Sequence, residues 1–319
     1  MISHSASKRL SIVLPAHNEA TNVAAMHSAI NTAAGNLGLE LELIFVDDGS
    51  SDTTIECISE LESQDKQVRL VALTRNFGHQ AALIAGLKAA TGDAIITMDC
   101  DLQHPPELIP EMVSAWRMGY EVVQMVRDET VGTGPVKQIM SRNFYKLLNL
   151  LSDTPITPGA ADFQLLDRVA LDALLNLGDH RPFLRGMISW LGFSKTTLHY
   201  TAGARAGGSS SYTWRKMASM AVDAITAFSV KPLRLAFYIG CFSALLSLIY
   251  LIYILRELLS GHTVEGWTSL MVVLLFLGAS QLVTLGIIGE YIGRIYDQTR
   301  GRPRYIVKSR SGENLTHRN

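Results

Sequence analysis

Along roughly the first 130 residues, short apolar runs alternate with stretches of helical spacing. LSIVL (10–14), LELIFV (41–46), VRLVALT (68–74), DAIITM (93–98) and EVVQMV (121–126) are rich in Val, Ile and Leu. Runs this short and continuous suit strands buried on both faces. Between them, Val23, Met26 and Ile30 recur at helical spacing after Asn18. Ile55, Ile58 and Leu61 follow the capping candidates Ser51 and Asp52. Leu108, Ile109, Met112, Val113 and Trp116 follow Pro105 and Pro106, and proline fits a first helical turn, where an N–H has no partner anyway. Strands alternating with helices predict an α/β fold with a Rossmann-like, mostly parallel sheet covered on both faces. The pattern then loosens. It predicts a helix over 137–151, a loop with Pro155 and Pro158, and a strand entering a helix at ADFQLLDR (161–168). An amphipathic stretch with two arginines follows at RPFLRGMISWLGF (181–193), then a loop at RAGGSSSY (205–212).

After residue 230 the pattern changes in kind. Residues 235–255 and 267–289 carry no charged side chain. At about 1.5 Å per residue, each is long enough to cross a hydrocarbon core of about 30 Å. Arg215, Lys216, Lys231 and Arg234 precede the first span, and Arg294, Arg300, Arg302, Arg304, Lys308 and Arg310 follow the second. The connector 256–266 has only Arg256. Basic residues stay on the cytoplasmic side, so the first half and both termini are expected there, with a short outside loop. The chain is expected to divide into an α/β domain (1–210), an amphipathic juxtamembrane segment (211–232), two membrane helices (233–291) and a basic tail (292–319). The juxtamembrane segment is expected to lie along the bilayer, its basic flanks drawn to anionic headgroups.

Net charge and cysteine usage remove some readings. The formal charge is −1, which gives nucleic acid no global attraction. Three widely spaced cysteines, Cys57, Cys100 and Cys241, fit neither a disulfide framework nor a CxxC zinc site. The N-terminus lacks the apolar core of a secretory signal. GxxxxGK[ST], GxGxxG after the first strand, HExxH and GxSxG are all absent, so P-loop, dehydrogenase, zincin and serine-hydrolase chemistries lose support.

The chemistry that remains gathers at strand ends. Sheets of this type bind ligands beyond the carboxyl ends of their strands, and there stand PAHNE (15–19), DDGSSD (47–52), RNFGH (75–79) and DCDLQH (99–104). Asp99 and Asp101 flank Cys100, and a turn there brings both carboxylates to one ion. Hard oxygen ligands select Mg²⁺ or Mn²⁺, which commonly bridge substrate phosphates. The amide oxygen of Gln103 is a further candidate ligand. Cys100 alternates away from the aspartates and is expected to pack under the sheet. His104 reads either as a surface histidine or as an outer-shell partner. Asp47 and Asp48 can accept from a base or ribose, cap the next helix, or do both. Asp162, among small residues, is either a catalytic carboxylate or a strand-end cap. Arg127 can meet a phosphate. Arg205, with the glycines and serines after it, is a phosphate loop or a flexible linker.

SIVLPAHNE, FVDDGSSDTT, LTRNFGHQAAL, ITMDCDLQHPPE, ADFQLLDR and GEYIGRIYDQTRGRPRY, in this order, resemble the membrane-anchored polyprenyl-phosphate glycosyltransferases of glycosyltransferase family 2. Dolichol-phosphate mannosyltransferases and bacterial bactoprenol glucosyltransferases belong to this group. The resemblance implies a GT-A fold, a UDP-sugar donor, an undecaprenyl-phosphate acceptor, Mg²⁺ or Mn²⁺, inversion at the anomeric carbon, the bacterial inner membrane and a homotetramer. It implies a nucleotide-sugar site at Pro15, Ala16, Asn18, Glu19, Asp47, Asp48, Arg75, Asp99, Cys100 and Gln103. Asp99, Asp101 and Gln103 would hold the metal. Asp162 and Asp101 would be catalytic, and Arg127, Arg205 and Ser210 would meet acceptor phosphate. Three positions depart from the family pattern: His17 where an aromatic is common, Cys100 where alanine is common, and Ser211 in place of a lysine, a role that Lys216 or Lys231 could take. The sugar is expected to be glucose, with N-acetylglucosamine, galactose, aminoarabinose and mannose as alternatives. A processive polysaccharide synthase would need a QxxRW motif and more spans. A non-enzymatic membrane scaffold would leave the strand-end acids without a role.

Overall fold

A computed structural model describes residues 9–128, 159–178, 183–201, 229–260 and 266–310. The helix expected over 137–151, the loop 205–212 and nearly all of the juxtamembrane segment lie outside these residues. The chain forms two compact units, one holding most of residues 1–217 together with 303–319, the other 218–302.

In the first unit the five expected strands are present: β1 (Arg9–Ala16), β2 (Glu40–Asp47), β3 (Val68–Leu73), β4 (Ala94–Thr97) and β5 (Val122–Arg127). They are joined by β6 (Ala160–Asp167), β7 (Lys195–Tyr200) and β8 (Val307–Arg310). The eight described strands form one sheet in the order β7-β5-β6-β4-β1-β2-β3-β8. β1 to β4 are mutually parallel, and β5 is parallel to β7. β6 runs against both β4 and β5, and β8 against β3. The reversal of β6 matters for function, because its first residues, not its last, lie at the carboxyl edge of β4.

Both sheet faces are covered. Leu10, Ile12, Leu14, Phe45 and Ile96 share a core with Val23, Met26 and Ile30 of α1 (Ala20–Ala34), Ile58 of α2 (Thr54–Gln64), and Met112, Val113 and Trp116 of α4 (Ile109–Arg117). Proline enters α4 as expected, through a short 3-10 turn, Pro106–Leu108. The other face carries α3 (His79–Ala89), α5 (Arg168–Asn176) and α6 (Leu184–Leu191), which touch β1 to β3, β4 and β6, and β6. α3 shows no clean period in the sequence because residues 82–87 are all buried; a helix enclosed on most sides has no polar face to mark it. Gly86 lets α3 sit close to the sheet: a Cβ there would run into Val13 Cγ1 and come within 2.8 Å of Val46 Cγ2.

The second unit contains α7 (Lys231–Leu259) and α8 (Trp267–Thr299), which pack on one another. Tyr291 Oη donates to the carbonyl of Ser229 at 2.6 Å, fastening the start of α7 to the late part of α8. Both are long and apolar enough to cross a membrane, and their large side chains, such as Phe237, Phe242, Leu275 and Leu282, are exposed rather than packed inside the protein. Where a tail was expected from 292, α8 continues to Thr299, and β8 then joins the catalytic sheet. Four residues paired to an edge strand are too few to announce themselves as a strand pattern.

Candidate active site

The loops after β1, β2 and β3 lock onto each other. Asn18 adopts the left-handed region, φ 59°, which asparagine tolerates better than most residues. Its Oδ1 accepts from Ser51 N at 2.9 Å, and its own N–H donates to Ser50 Oγ at 3.0 Å. Asp47, fully buried, accepts from Gly49 N and Ser50 N at 3.1 and 3.2 Å. Asp48 accepts from Phe77 N at 2.7 Å and Gly78 N at 2.9 Å, tying the β2 loop to the entry of α3. In the described structure both acids therefore hold turns, although each Asp48 oxygen accepts a single hydrogen bond and keeps a further lone pair for a ligand. Pro15 and Ala16 end β1 and are buried. Arg75 is exposed, its guanidinium 4.0 Å over the Phe77 ring. Arg127 ends β5, exposed, in register with Tyr200. Arg205 and Ser210 lie outside the described residues.

Beyond β4 the chain turns through Asp99, Cys100 and Asp101. Asp101 Oδ1 accepts from Gln103 N at 3.1 Å, and the intervening Leu102 is held at φ 59°, a costly place for a bulky residue and one typical of functional loops. Cys100 is 2% exposed, and burial pushes its thiol up to about 12, so it packs as expected. Asp99 Oδ1 is buried with no hydrogen-bond partner among the described residues, and His79 Nε2 stands 3.5 Å away. Glu19 lies close enough to feel Asp99 and Asp101: burial first, and then these carboxylates, raise its pKa against the opposing Asn22 hydrogen bond. A buried carboxylate oxygen that accepts no hydrogen bond, beside a cluster of acids, fits a divalent cation. No group of three His, Cys, Asp or Glu converges as a ready-made cage among the described residues.

Asp162 enters from the reversed strand β6. Thr97 Oγ1 donates to its carbonyl at 2.7 Å, pinning it to the end of β4. Its carboxylate, 7% exposed, is gripped by the Arg185 fork: Nε to Oδ1 at 2.8 Å and Nη2 to Oδ2 at 3.1 Å. Gln80 Nε2 donates to Oδ2 at 3.1 Å, and His79 Nε2 is 3.5 Å from the same oxygen. Burial works against the charge, but Arg185 and His79 outweigh it and hold the carboxyl well below the usual carboxylate range. For His79, burial pulls the pKa down, and Asp162 and Asp99 more than offset it, so it is raised. Asp162 is thus a fixed anion, not a group that exchanges protons near neutrality. His104 is buried rather than a surface residue, 6% exposed; burial lowers its pKa despite nearby Asp99.

His79, Gln80 and Arg185 were not foreseen as site residues. His79 stood in the strand-end stretch RNFGH and Arg185 in the amphipathic RPFLRGM, but nothing in either local pattern points to a carboxylate 23 or more residues away.

Residues 11–175 match the model of glycosyl transferase family 2, and residues 231–295 that of the GtrB C-terminal hairpin. The chain belongs to glycosyltransferase family 2. The fold is of the GT-A type, and the protein is a glycosyltransferase. It is 40% identical to the uncharacterized glycosyltransferase YkcC of Bacillus subtilis over 95% of this chain and 94% of that one. It is 37% identical to the bactoprenol glucosyl transferase of Shigella phage SfX, over 95% and 99% of the two chains. The crystal structure of glucosyl-3-phosphoglycerate synthase from Mycobacterium tuberculosis aligns at TM-score 0.49 and 19% identity, over 70% of this glycosyltransferase and 79% of that chain, too distant to inform the chemistry.

Proposed function

We propose that this glycosyltransferase moves glucose from a UDP-sugar to a polyprenyl phosphate at the cytoplasmic face of the bacterial inner membrane, inverting the anomeric carbon and leaving a lipid-linked monosaccharide for later glycan modification. One observation carries the reading: a buried Asp99 oxygen that accepts no hydrogen bond among the described residues faces, across His79, an Asp162 held anionic by Arg185. The setting supports it, a GT-A unit on a chain whose hairpin matches GtrB and whose relatives include bactoprenol glucosyl transferases.

An oxygen of the lipid phosphate attacks the anomeric carbon; the bond from that carbon to the diphosphate breaks, and UDP leaves with the electron pair. A phosphate monoester has its second pKa near ~6, so the nucleophile is already charged at neutral pH and needs no strong base. Asp162, paired with Arg185, therefore orients and tunes the attack rather than taking a proton. Asp99 and Asp101, with Gln103, would hold a divalent cation, which when bound neutralises charge on the departing diphosphate. Asn18, Asp47 and Asp48 keep the nucleoside-facing loops in shape. α7 and α8 anchor the unit where a lipid acceptor is found.

The test is transfer of radiolabel from a panel of UDP-sugars to undecaprenyl phosphate, read as label extractable into organic solvent. UDP-glucose is expected to dominate. Preference for N-acetylglucosamine, galactose, aminoarabinose or mannose would correct the sugar alone; labelled polymer would favour a processive synthase; no labelled product with any donor would overturn the reading. EDTA is expected to abolish transfer and Mg²⁺ or Mn²⁺ to restore it.

A further inference from the structure

Of the residues that follow β4, His104 has no part in the reaction above. Its ring is 6% exposed, and burying an imidazole is costly unless its nitrogens are used. Nδ1 lies 2.9 Å from Asp99 N and accepts its hydrogen. A nitrogen that accepts carries no proton, so the neutral ring bears its proton on Nε2. Nε2 faces Asp99 Oδ2 at 3.7 Å, an electrostatic contact rather than a formed hydrogen bond. The ring cannot turn away easily. Phe163 stacks on it, centroids 5.0 Å apart and planes at 16°. Tyr200 meets it edge-on at 6.1 Å and meets Phe163 at 5.9 Å. Two rings, from β6 and β7, thus fix the imidazole of the β4 loop against both the backbone and the side chain of Asp99. The opposite carboxylate oxygen, Oδ1, accepts no hydrogen bond among the described residues and has only His79 Nε2 near it, at 3.5 Å.

We infer that His104 is a positioning residue for Asp99: it fixes the backbone where β4 ends and steers the carboxylate so that Oδ1 is presented to the divalent cation. This rests on the metal reading proposed above. A purely structural ring would need the aromatic stack alone; here the Nδ1 acceptor meets a backbone N–H that would otherwise be orphaned, at the residue proposed to hold the ion. Groups that orient metal ligands in this way typically change affinity by about 10–100-fold when removed.

The test titrates purified full-length protein in detergent with Mn²⁺, following free ion by electron paramagnetic resonance. Wild type is expected to show a saturable site that Asp99→Ala removes. His104→Phe keeps a ring to stack on Phe163 but offers no acceptor; its Mn²⁺ affinity is expected to fall about 10–100-fold in protein that is still folded at the assay temperature. His104→Asn returns an amide oxygen close to the Nδ1 position and is expected to recover most of the loss. In turnover, the Mn²⁺ concentration giving half-maximal rate rises in His104→Phe, while kcat at saturating Mn²⁺ stays near wild type. A folded His104→Phe that binds Mn²⁺ within about twofold of wild type would overturn the inference and leave the metal reading standing. Should His104→Phe not fold, Asn is compared with His104→Gln, whose amide reaches past the Nδ1 position; equal affinities would overturn the inference. If wild type has no site that Asp99→Ala removes, the metal reading and this inference fall together.

Discussion

At the scale of single residues, charge is held in place by dedicated partners. Asp162 is the functional case. Its low pKa means it stays ionised across the working range, so the acid limb of the rate profile is expected to fall near pH ~6, where the acceptor phosphate takes up its second proton, and not at a carboxylate. Asp162→Asn is expected to lower kcat by about 100-fold or more, the scale for losing a preorganised electrostatic group. Near-wild-type turnover at neutral pH would remove Asp162 from the mechanism. Glu42 is the structural case, 5% exposed on β2 at the edge opposite the site. It is paired with Arg69 and accepts from Thr91 N at 2.8 Å and Thr91 Oγ1 at 2.9 Å, with Ser11 Oγ also donating to it. Burial opposes its charge, but these partners outweigh it and its pKa is lowered. A lowered carboxylate stabilises the fold above its unfolded value of 4.5 and loses that contribution as pH falls through the folded value. Glu42→Gln is therefore expected to cost about 1–3 kcal/mol at pH 7, the scale for leaving buried donors without their charged acceptor. The gap in melting temperature from wild type should persist down to about pH 4.5 and close only below it.

At the scale of elements, what could be read from sequence depended on burial. β1 to β5 announced themselves because both faces are apolar, and α1, α2 and α4 because one face is. α3 was hidden by being enclosed. β7 was hidden because KTTLHY at a sheet edge alternates between exposed and partly buried positions until its last residue, the buried Tyr200, and β8 by its length. The acidic strand ends were legible because a β4 run stops abruptly in DCD. The Arg185–Asp162 pair was not, because it joins residues 23 apart through the reversal of β6, and strand direction leaves no mark in composition. The same logic left His104 open: only the ring stack, built from three separate segments, shows that it is buried. β8 covers the outer edge of β3, and Thr74 N donates to Ile306 O just beside it. Deleting residues 303–319 would bare that edge, and bare edges pair with other chains. The truncated protein is expected to melt lower and to elute as larger species on size exclusion. Transfer per folded molecule should be little changed, because β3 keeps its pairing to β2.

At the scale of the whole molecule, two apolar helices with exposed side chains need cover that water does not supply. Basic residues flank both outer ends of the pair, so the catalytic unit is expected to face the cytoplasm. Trypsin added to inverted membrane vesicles should therefore digest the catalytic unit, whereas trypsin added to intact spheroplasts should leave it whole. The reverse pattern would put the unit, and the proposed UDP-sugar donor, on opposite sides of the membrane.

Gly86 links these scales in a way that genetics would notice. α3 begins with His79 and Gln80 at the acidic edge and depends on a missing methyl seven residues later, deep against Val13 and Val46. An alanine allele at 86 is expected to score as a loss of transfer, indistinguishable in a plate assay from a lesion at Asp162, although no residue of the site has been substituted. Revertants selected from that allele are expected to carry shortened side chains at Val13 or Val46, and not changes among the acids they restore.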